Sequence, residues 1–532
     1  MAMKKKALLV AACAAALALA LGACGTGSGG GSPQGGSSSS AATSAAVAGA
    51  DTSAAAAPTA GATSTAAAPA TLSETAQAIA ALDGVVSVEP IDVSNSKAFT
   101  DKFVVTIEQP LDHSNPSAGT FPQRVEIGLV DGARANIMET EGYLLLDQLF
   151  PTDDAHELCN DVQGNYIHVE HRFFGGSVPD GLSRDAVEGW QYMTSANAAA
   201  DYHNIYETLS QVLDGPWAAT GTSRGGEICT VYAYYYPDDM KVYIPYVAPF
   251  SSGREDARMY DFVYTQIGNE KYGEEKAQEY RDLVAAFQAE MMKNKDALAP
   301  ALWQLCAGQG ATYRENVTEG MLFDMVVLEA GTQEWQMNQE VSSNPQIDIS
   351  FEGMRNLLAM PDTNDEEHQA KLQQELVFLF TLGSPTDWSV NGLAWPYYVG
   401  AAKEYGQYHY GFAYLREVCE KAGLGDVLTI KDADIDNIVF NMVLTPEQNE
   451  AFAYDGTFYE GVTQWVDTTG AKVVYIYGNS DPWYSMRMHD TDNPNVKIYT
   501  NNQKPHTVRI TDFDEATMKE IVGFVNDALF AK

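Results

Sequence analysis

From Thr71 to the C-terminus the chain alternates between two apolar spacings. "LSETAQAIAALDGV" repeats its apolar positions at helical intervals, whereas "KAFTDKFVVTIEQPLDH" and "TFPQRVEIGLVDGA" have the spacing of strands. "ANIMETEGYLLL" and "NYIHVEHRFFG" are further apolar runs closed by Gly or polar residues. "SANAAADYHNIYETLSQVLD" predicts a helix, "WAATG" a strand, the segment through Tyr236 a second helix, and "MKVYIPYVAPF" another strand. Strands alternating with helices in this way predict a parallel sheet wrapped by helices.

The alternation stops near Ser251 and resumes near Thr468. Between them helical patterns dominate, as in "NEKYGEEKAQEYRDLVAAFQAEMMK", "EEHQAKLQQELVFLF" and "YGFAYLREVCEKAG". Then "AKVVYIYGNSDPW" and "NVKIYTNNQKPH" return as strands, and "FDEATMKEIVGFVNDALF" closes as an amphipathic helix. The economical organisation is one sheet domain, residues 73–250 and 469–532, interrupted by a helical cap, residues 251–468.

Upstream of this unit the pattern disappears. "MAMKKKALLVAACAAALALALGAC" has a lysine-rich start, an apolar stretch and then Leu21-Gly22-Ala23-Cys24. Residues 1–23 therefore predict a secretory signal, and the final four match a bacterial lipobox in which Cys24 is acylated. Acylation would anchor the protein at an outer membrane face with no spanning helix; cleavage as an ordinary signal peptide is the alternative. Residues 24–72 are almost all Gly, Ser, Ala, Thr and Pro. They predict a disordered tether with an r.m.s. reach of about 40 Å. Gly25-Thr-Gly27-Ser-Gly29-Gly30 within it spells a dinucleotide fingerprint without the strand and helix that would give it meaning.

A length of 532 residues allows two or three units. Acidic residues outnumber basic ones 71 to 32, for a net charge of −39. That surface repels phosphate backbones and argues against nucleic acid as a partner. The sequence says nothing of oligomeric state. Of the six cysteines, Cys159, Cys229, Cys306 and Cys419 fall in the patterned region. A disulfide between Cys306 and Cys419, both in the cap, and a pair of buried thiols are the two alternatives.

The chemistry concentrates at "PWAATGTSRGGEICTVYAYYYP". Gly221-Thr-Ser223-Arg-Gly225 follows a strand and opens a helix, the context of a nucleophile elbow, where only residues without side chains leave room for the turn. On an α/β-hydrolase fold the acid and base follow the serine, each in a loop after a later strand. Asp481 follows "KVVYIYGNS" and His506 follows "NVKIYTNNQKP". His489, on the turn-rich stretch after Asp481, is the weaker choice of base. His506 would accept the Ser223 proton, with Asp481 fixing its tautomer. The backbone N–H of Arg224 and the turn at Gly142-Tyr143 would supply the oxyanion hole.

"IEQPLDHSNPSAGTFPQR", "VEHRFF", "ADYHNIY", "WAATGTSRGG", "YYYPDDM", "YVAP" and "YGNSDPW" together resemble the secreted prolyl tripeptidyl/tetrapeptidyl aminopeptidases of actinobacteria. These are serine peptidases related to lysosomal prolyl carboxypeptidase and dipeptidyl peptidase II. The resemblance runs from about Ser73 to the C-terminus and is weakest in the cap. It implies an α/β-hydrolase fold with an inserted cap, and release of short peptides from a free N-terminus, often after proline. It also implies Ser223, Asp481 and His506 as the triad, and Trp483 as a wall of the site. The chain departs from the family at Arg224, where Lys is usual, and at Pro505-His506-Thr507, where a glycine commonly flanks the histidine. The first leaves the backbone donor in place; the second bears on loop geometry and not on the base.

A peptidase acting on free N-termini must receive a cationic amine. Glu170 in "VEHRFF", at the end of a strand before the elbow, is a candidate, and pairing with Arg172 or another cation to hold loops is the alternative. "WPYYVGAAKEYGQYHYGFAY" offers either a lining for a proline pocket or plain core. No cofactor or metal is implied. Ser94-x-x-Lys97 lacks its Lys-Thr-Gly partner, and Asp432-x-Asp434-x-Asp436 lacks the glycine and glutamate of a calcium loop. Two rival functions share this fold: an esterase or lipase, and a surface lipoprotein that binds peptides without chemistry.

Overall fold

The computed structural model describes residues 72–337 and 348–531. The predicted signal peptide, Cys24 and all of the tether but Leu72 lie outside the described residues.

Nine strands form one sheet, interrupted in sequence by the cap. In chain order the strands are β1 (Val85–Pro90), β2 (Asp101–Pro110), β3 (Thr120–Leu129), β4 (Ala135–Thr140), β5 (Gly164–Val169), β6 (Trp217–Thr222) and β7 (Val242–Tyr246). Two short cap strands follow, β8 (Glu255–Asp256) and β9 (Gln407–Tyr408), and the sheet resumes with β10 (Val473–Gly478) and β11 (Val496–Asn501). The order across the sheet is β1-β2-β3-β5-β4-β6-β7-β10-β11. From β5 to β11 every pairing is parallel, while β1, β2, β3 and β5 pair antiparallel. The sheet is thus mixed and not wholly parallel. Short links join β1 to β2 and β2 to β3, and only antiparallel strands can be joined so directly. β1 has no counterpart in the sequence reading. It is a half-exposed edge strand ending in Pro90, and such strands carry little periodic signal.

Along β4 to β7 and β10 successive side chains enter two separate cores, as the two-residue repeat of a strand requires. Met138, Ile167, Tyr243 and Tyr475 point to one face, against α1 (Ser195–Leu209) and α2 (Arg224–Tyr235). Ile137, Tyr166, Ile244 and Ile476 point to the other, with Ile521, Val525 and Leu529 of the C-terminal helix Glu515–Phe530. Those three recur every four residues, so one stripe of that helix is buried, each side chain contributing roughly 1.5–3 kcal/mol. Asp514 caps its start by accepting from the N–H groups of Ala516 and Thr517.

Between β7 and β10 the chain forms helices whose core also takes in Phe121, Phe173 and Trp190 of the sheet domain; it centres on α3 (Glu319–Met337), the helices Glu274–Lys293 and Lys295–Gly308 before it, and Asp365–Leu382 after it. α3 is buried on nearly every side, the signature of a helix at the centre of its layer. The last helix of the inserted segment, Thr457–Val466, does not belong to this core. It buries Phe458, Val462 and Val466 in the sheet-domain cluster with Tyr475 and Tyr234. The cap therefore ends before this helix and not at residue 468. Cys159, Cys229, Cys306 and Cys419 are all buried free thiols, so the Cys306–Cys419 bridge is not formed. Among the described residues no helix is long and apolar enough to cross a membrane.

Candidate active site

The elbow at Ser223 is forced by the strands on either side of it. Ser223 has φ 59° and ψ −123°, a conformation that L-residues avoid and that persists only where the surroundings over-determine it. Three glycines make it feasible. A Cβ on Gly221 would lie 2.3 Å from the Gly225 carbonyl oxygen, one on Gly225 2.4 Å from that of Thr140 in β4, and one on Gly226 2.5 Å from that of Tyr246 in β7. Hydrogen bonds hold the turn from both flanks. The Ser223 N–H donates to the Tyr246 carbonyl at 2.8 Å, and Thr140 Oγ1 donates to the carbonyls of Thr220 and Gly225. This accounts for the glycine crowding in the sequence.

Asp481 and His506 lie beyond the ends of β10 and β11, the parallel continuation of β6 and β7, so all three groups stand on one edge of the sheet. Asp481 is buried. Its Oδ1 accepts from the Trp483 N–H at 3.1 Å, and its Oδ2 is 2.7 Å from His506 Nδ1. The loop bearing His506 folds tightly across the end of β10. A Cβ on Gly478 would lie 2.3 Å from the Pro505 carbonyl oxygen, and the Ser480 N–H donates to the Lys504 carbonyl. With Nδ1 engaged by Asp481, Nε2 is the nitrogen left for Ser223. Among the described residues Ser223 Oγ makes no hydrogen bond, so the imidazole–serine contact is not closed; such contacts commonly tighten only with substrate bound. His489 pairs instead with Asp467 on the surface.

Arg224 opens α2, and its N–H has no helical carbonyl to donate to; the carbonyl four residues back, that of Thr220, takes the Thr140 hydroxyl. Among the described residues that N–H makes no hydrogen bond, which leaves it a donor beside Ser223. The Gly142-Tyr143 turn packs against Arg224: a Cβ on Gly142 would lie 2.6 Å from Arg224 Cβ. Its amides, however, are not free. Both the Gly142 and Tyr143 N–H groups donate to Glu141 Oε1, at 3.1 and 3.2 Å. The expectation of an open donor there is corrected, because a neighbouring carboxylate has satisfied both amides. The Arg224 side chain fastens the same turn, donating from Nε to the Gly142 carbonyl, pairing with Glu227 at 3.1 Å and lying over the rings of Tyr397 and Tyr405.

Glu170 is corrected as well. It is fully buried, accepting from the N–H groups of Leu145 and Gly176 at 2.8 and 3.0 Å and from the Ser177 hydroxyl at 2.7 Å. With its lone pairs committed, it ties loops together and does not face the site. Its cationic neighbour is Arg124, at 3.8 Å, not Arg172, which pairs with Asp201.

Trp483 is half-buried at the site. Its ring meets Tyr408 edge-on at 5.3 Å, and its Nε1–H donates to Gln336 Oε1 at 3.2 Å. Gln336 also accepts the His506 N–H through its backbone carbonyl at 3.3 Å. One residue of the cap helix α3 thus braces both Trp483 and the loop of His506. Nothing about a lone glutamine in a helical segment marks it in the sequence.

Glu255, His409 and Asp436 bring one potential metal ligand each within 4.8 Å of one another. Asp436 ends the acid string set aside above as a calcium loop, and none of the three hydrogen-bonds Ser223, Asp481 or His506.

A strained serine at a strand–helix turn and a histidine–aspartate pair on the same sheet edge define a serine hydrolase of the α/β-hydrolase fold. The family described as PS-10 peptidase S37 matches residues 74–349, just over half of the chain. The chain belongs to that family, and it is a serine peptidase. A prolyl tri/tetrapeptidyl aminopeptidase of Streptomyces mobaraensis is 25% identical over 384 residues, 71% of this chain and 69% of its own length. Among solved structures, a proline iminopeptidase of Mycobacterium smegmatis is similar at 11% identity and a TM-score of 0.33, over 80% of this chain and 98% of its own. An α/β fold family hydrolase of Bacillus anthracis is similar at 12% identity and a TM-score of 0.29, over 76% and 96%.

Proposed function

We propose that the protein is an extracytoplasmic aminopeptidase that releases tripeptide-like fragments from free peptide N-termini, preferring proline at the cut. Ser223 Oγ attacks the scissile carbonyl while His506 Nε2 takes its proton. The imidazolium, held by Asp481, passes that proton to the departing amine, and water releases the acyl-enzyme by the same steps. The Arg224 N–H faces the developing oxyanion. A second donor from the Gly142-Tyr143 turn requires one amide to leave Glu141. Trp483 walls the site.

The observation that carries this reading is the 2.7 Å Asp481–His506 contact on the sheet edge that also bears the strained Ser223. The relative's name supports the fragment length and the proline preference. A fluorophosphonate probe tests the nucleophile: labelling of the native protein that disappears in Ser223→Ala is expected, and equal labelling of both would overturn the assignment. Ala-Ala-Pro and Ala-Pro reporters, each with free and blocked amines, test the specificity. The reading requires the free-amine tripeptide to be cleaved fastest. The lipobox supports anchorage at Cys24, so Cys24→Ser should move the protein from the membrane to the soluble fraction.

A further inference from the structure

Among the acids that the cap encloses, Glu329 and Asp387 lie on the side of Tyr408 and Tyr143 and have no cation to balance them among the described residues. Glu329, on α3, is 5% exposed. Its carboxylate accepts from the Tyr408 hydroxyl at 2.9 Å to each oxygen and from Gln333 Nε2 at 2.9 Å. Asp387, in the turn Pro385–Trp388, is half-buried, and among the described residues no donor reaches its carboxylate. Neither acid has a lysine, arginine or histidine within 4 Å among the described residues. Isolated buried carboxylates are costly. Here burial first, and the charge of Glu329 second, push Asp387 up to about 7, and burial raises Glu329 as well. A buried acid that lies under the charge of a second one suits an arriving cation.

Their position relative to the triad is fixed by α3. Gln336, which holds Trp483 and the His506 loop, stands seven residues after Glu329. That is two turns further along one face of the helix, about 10 Å at 1.5 Å per residue. Trp483, Tyr408 and Glu329 make a continuous wall over that distance, through the edge-on ring contact and the Tyr408 hydroxyl. Three extended peptide residues also span about 10 Å. From the other side Tyr143, against Tyr397 and beside the Arg224 turn, feels the charge of Asp387.

We propose that Glu329 and Asp387 receive the α-ammonium group of the substrate, and that α3 sets the released fragment at about three residues by holding Glu329 two turns from the catalytic edge. This rests on the aminopeptidase reading above. The anchor adds binding only for substrates that carry the charge, so its loss should appear as a change in selectivity between free and blocked amines.

The experiment compares Ala-Ala-Pro and N-acetyl-Ala-Ala-Pro reporters, with Ala-Pro for length, on the native full chain, Glu329→Gln and Asp387→Asn. Fluorophosphonate labelling is followed in parallel. The free-to-acetylated ratio of kcat/KM is expected to fall at least tenfold in each variant, mainly through KM, and the advantage of the tripeptide over the dipeptide to shrink. Ratios within twofold of native in both variants, with labelling intact, would overturn the anchor while leaving the serine peptidase standing. Loss of labelling in the native protein would instead remove the underlying reading. Should Glu329→Gln fail to fold, Asp387→Asn decides alone, since it removes a charge the fold resists.

Discussion

Asp481 caps one short 3-10 helix and Asp387 lies in the first turn of another, yet their surroundings are opposite. Asp481 has a backbone N–H on one oxygen and an imidazole on the other, while Asp387 has neither donor nor cation among the described residues. The first is complete before substrate arrives; the second is completed by it. The contrast extends to the two regions. At the sheet edge Asp481 is engaged on both oxygens, and Glu141 covers the amides of Gly142 and Tyr143. Within the cap, charge is left unbalanced beside a wall of tyrosines. A chemical apparatus gains from rigidity, because proton transfer depends on tenths of an ångström. A receiving pocket gains from an unmet demand that only the right ligand supplies.

Three changes test that contrast. The largest effect is expected from Asp481→Asn, which keeps the shape of the turn but loses the charge and the tautomer control. Turnover should fall by about 10⁴-fold with KM little altered, and a loss under tenfold would remove Asp481 from the triad. Next is Gly225→Ala, whose methyl group meets the Thr140 carbonyl oxygen at 2.4 Å. Backbone on both sides leaves no flexible atom to yield, so chemical denaturation should show a loss of about 1–3 kcal/mol together with slower labelling of Ser223. Unchanged stability would mean the elbow is softer than its glycines imply.

The smallest effect is a gain. The carboxyl of Asp387 is raised from 3.8 to about 7 by burial and by Glu329, so its ionised form is the one the fold disfavours. Stability from this group is fully present below 3.8 and is lost as pH rises through about 7. Asp387→Asn escapes that loss. Its Tm should exceed that of the native protein by an amount that widens from about pH 4 to about pH 7 and is constant above. A gap that does not vary with pH would place Asp387 in an ordinary solvated setting. Over the same window native KM for free-amine substrates should rise on acidification, and the variant's should not.

What could be read from the sequence was the part that backbone sterics dictates. Glycines at 221, 225 and 226 are needed wherever a strand must turn sharply into a helix between two neighbours, and Asp481 and His506 follow later strands because parallel strands end on a common edge. The helices of the cap were legible, but not what they enclose. Glu329 and Gln336 look like polar positions of any helix, and only the packing of α3 on every side turns them inward. Glu170 illustrates the reverse: a carboxylate in the right motif, at the end of the right strand, is consumed by loop amides that no linear pattern announces. The capping of Gly142 and Tyr143 by Glu141 is equally local and equally silent. The edge strand β1 escapes a linear reading because its positions are half-exposed, and the helix Thr457–Val466 because its partner Tyr234 lies far away in sequence.

The hydrogen bond from the His506 backbone to Gln336 means that the roof of the molecule and its proton carrier are mechanically geared. Whatever shifts the end of α3 at Gln336 is passed to the loop that carries the imidazole, so a substitution that loosens α3 there should slow the reaction without touching the triad.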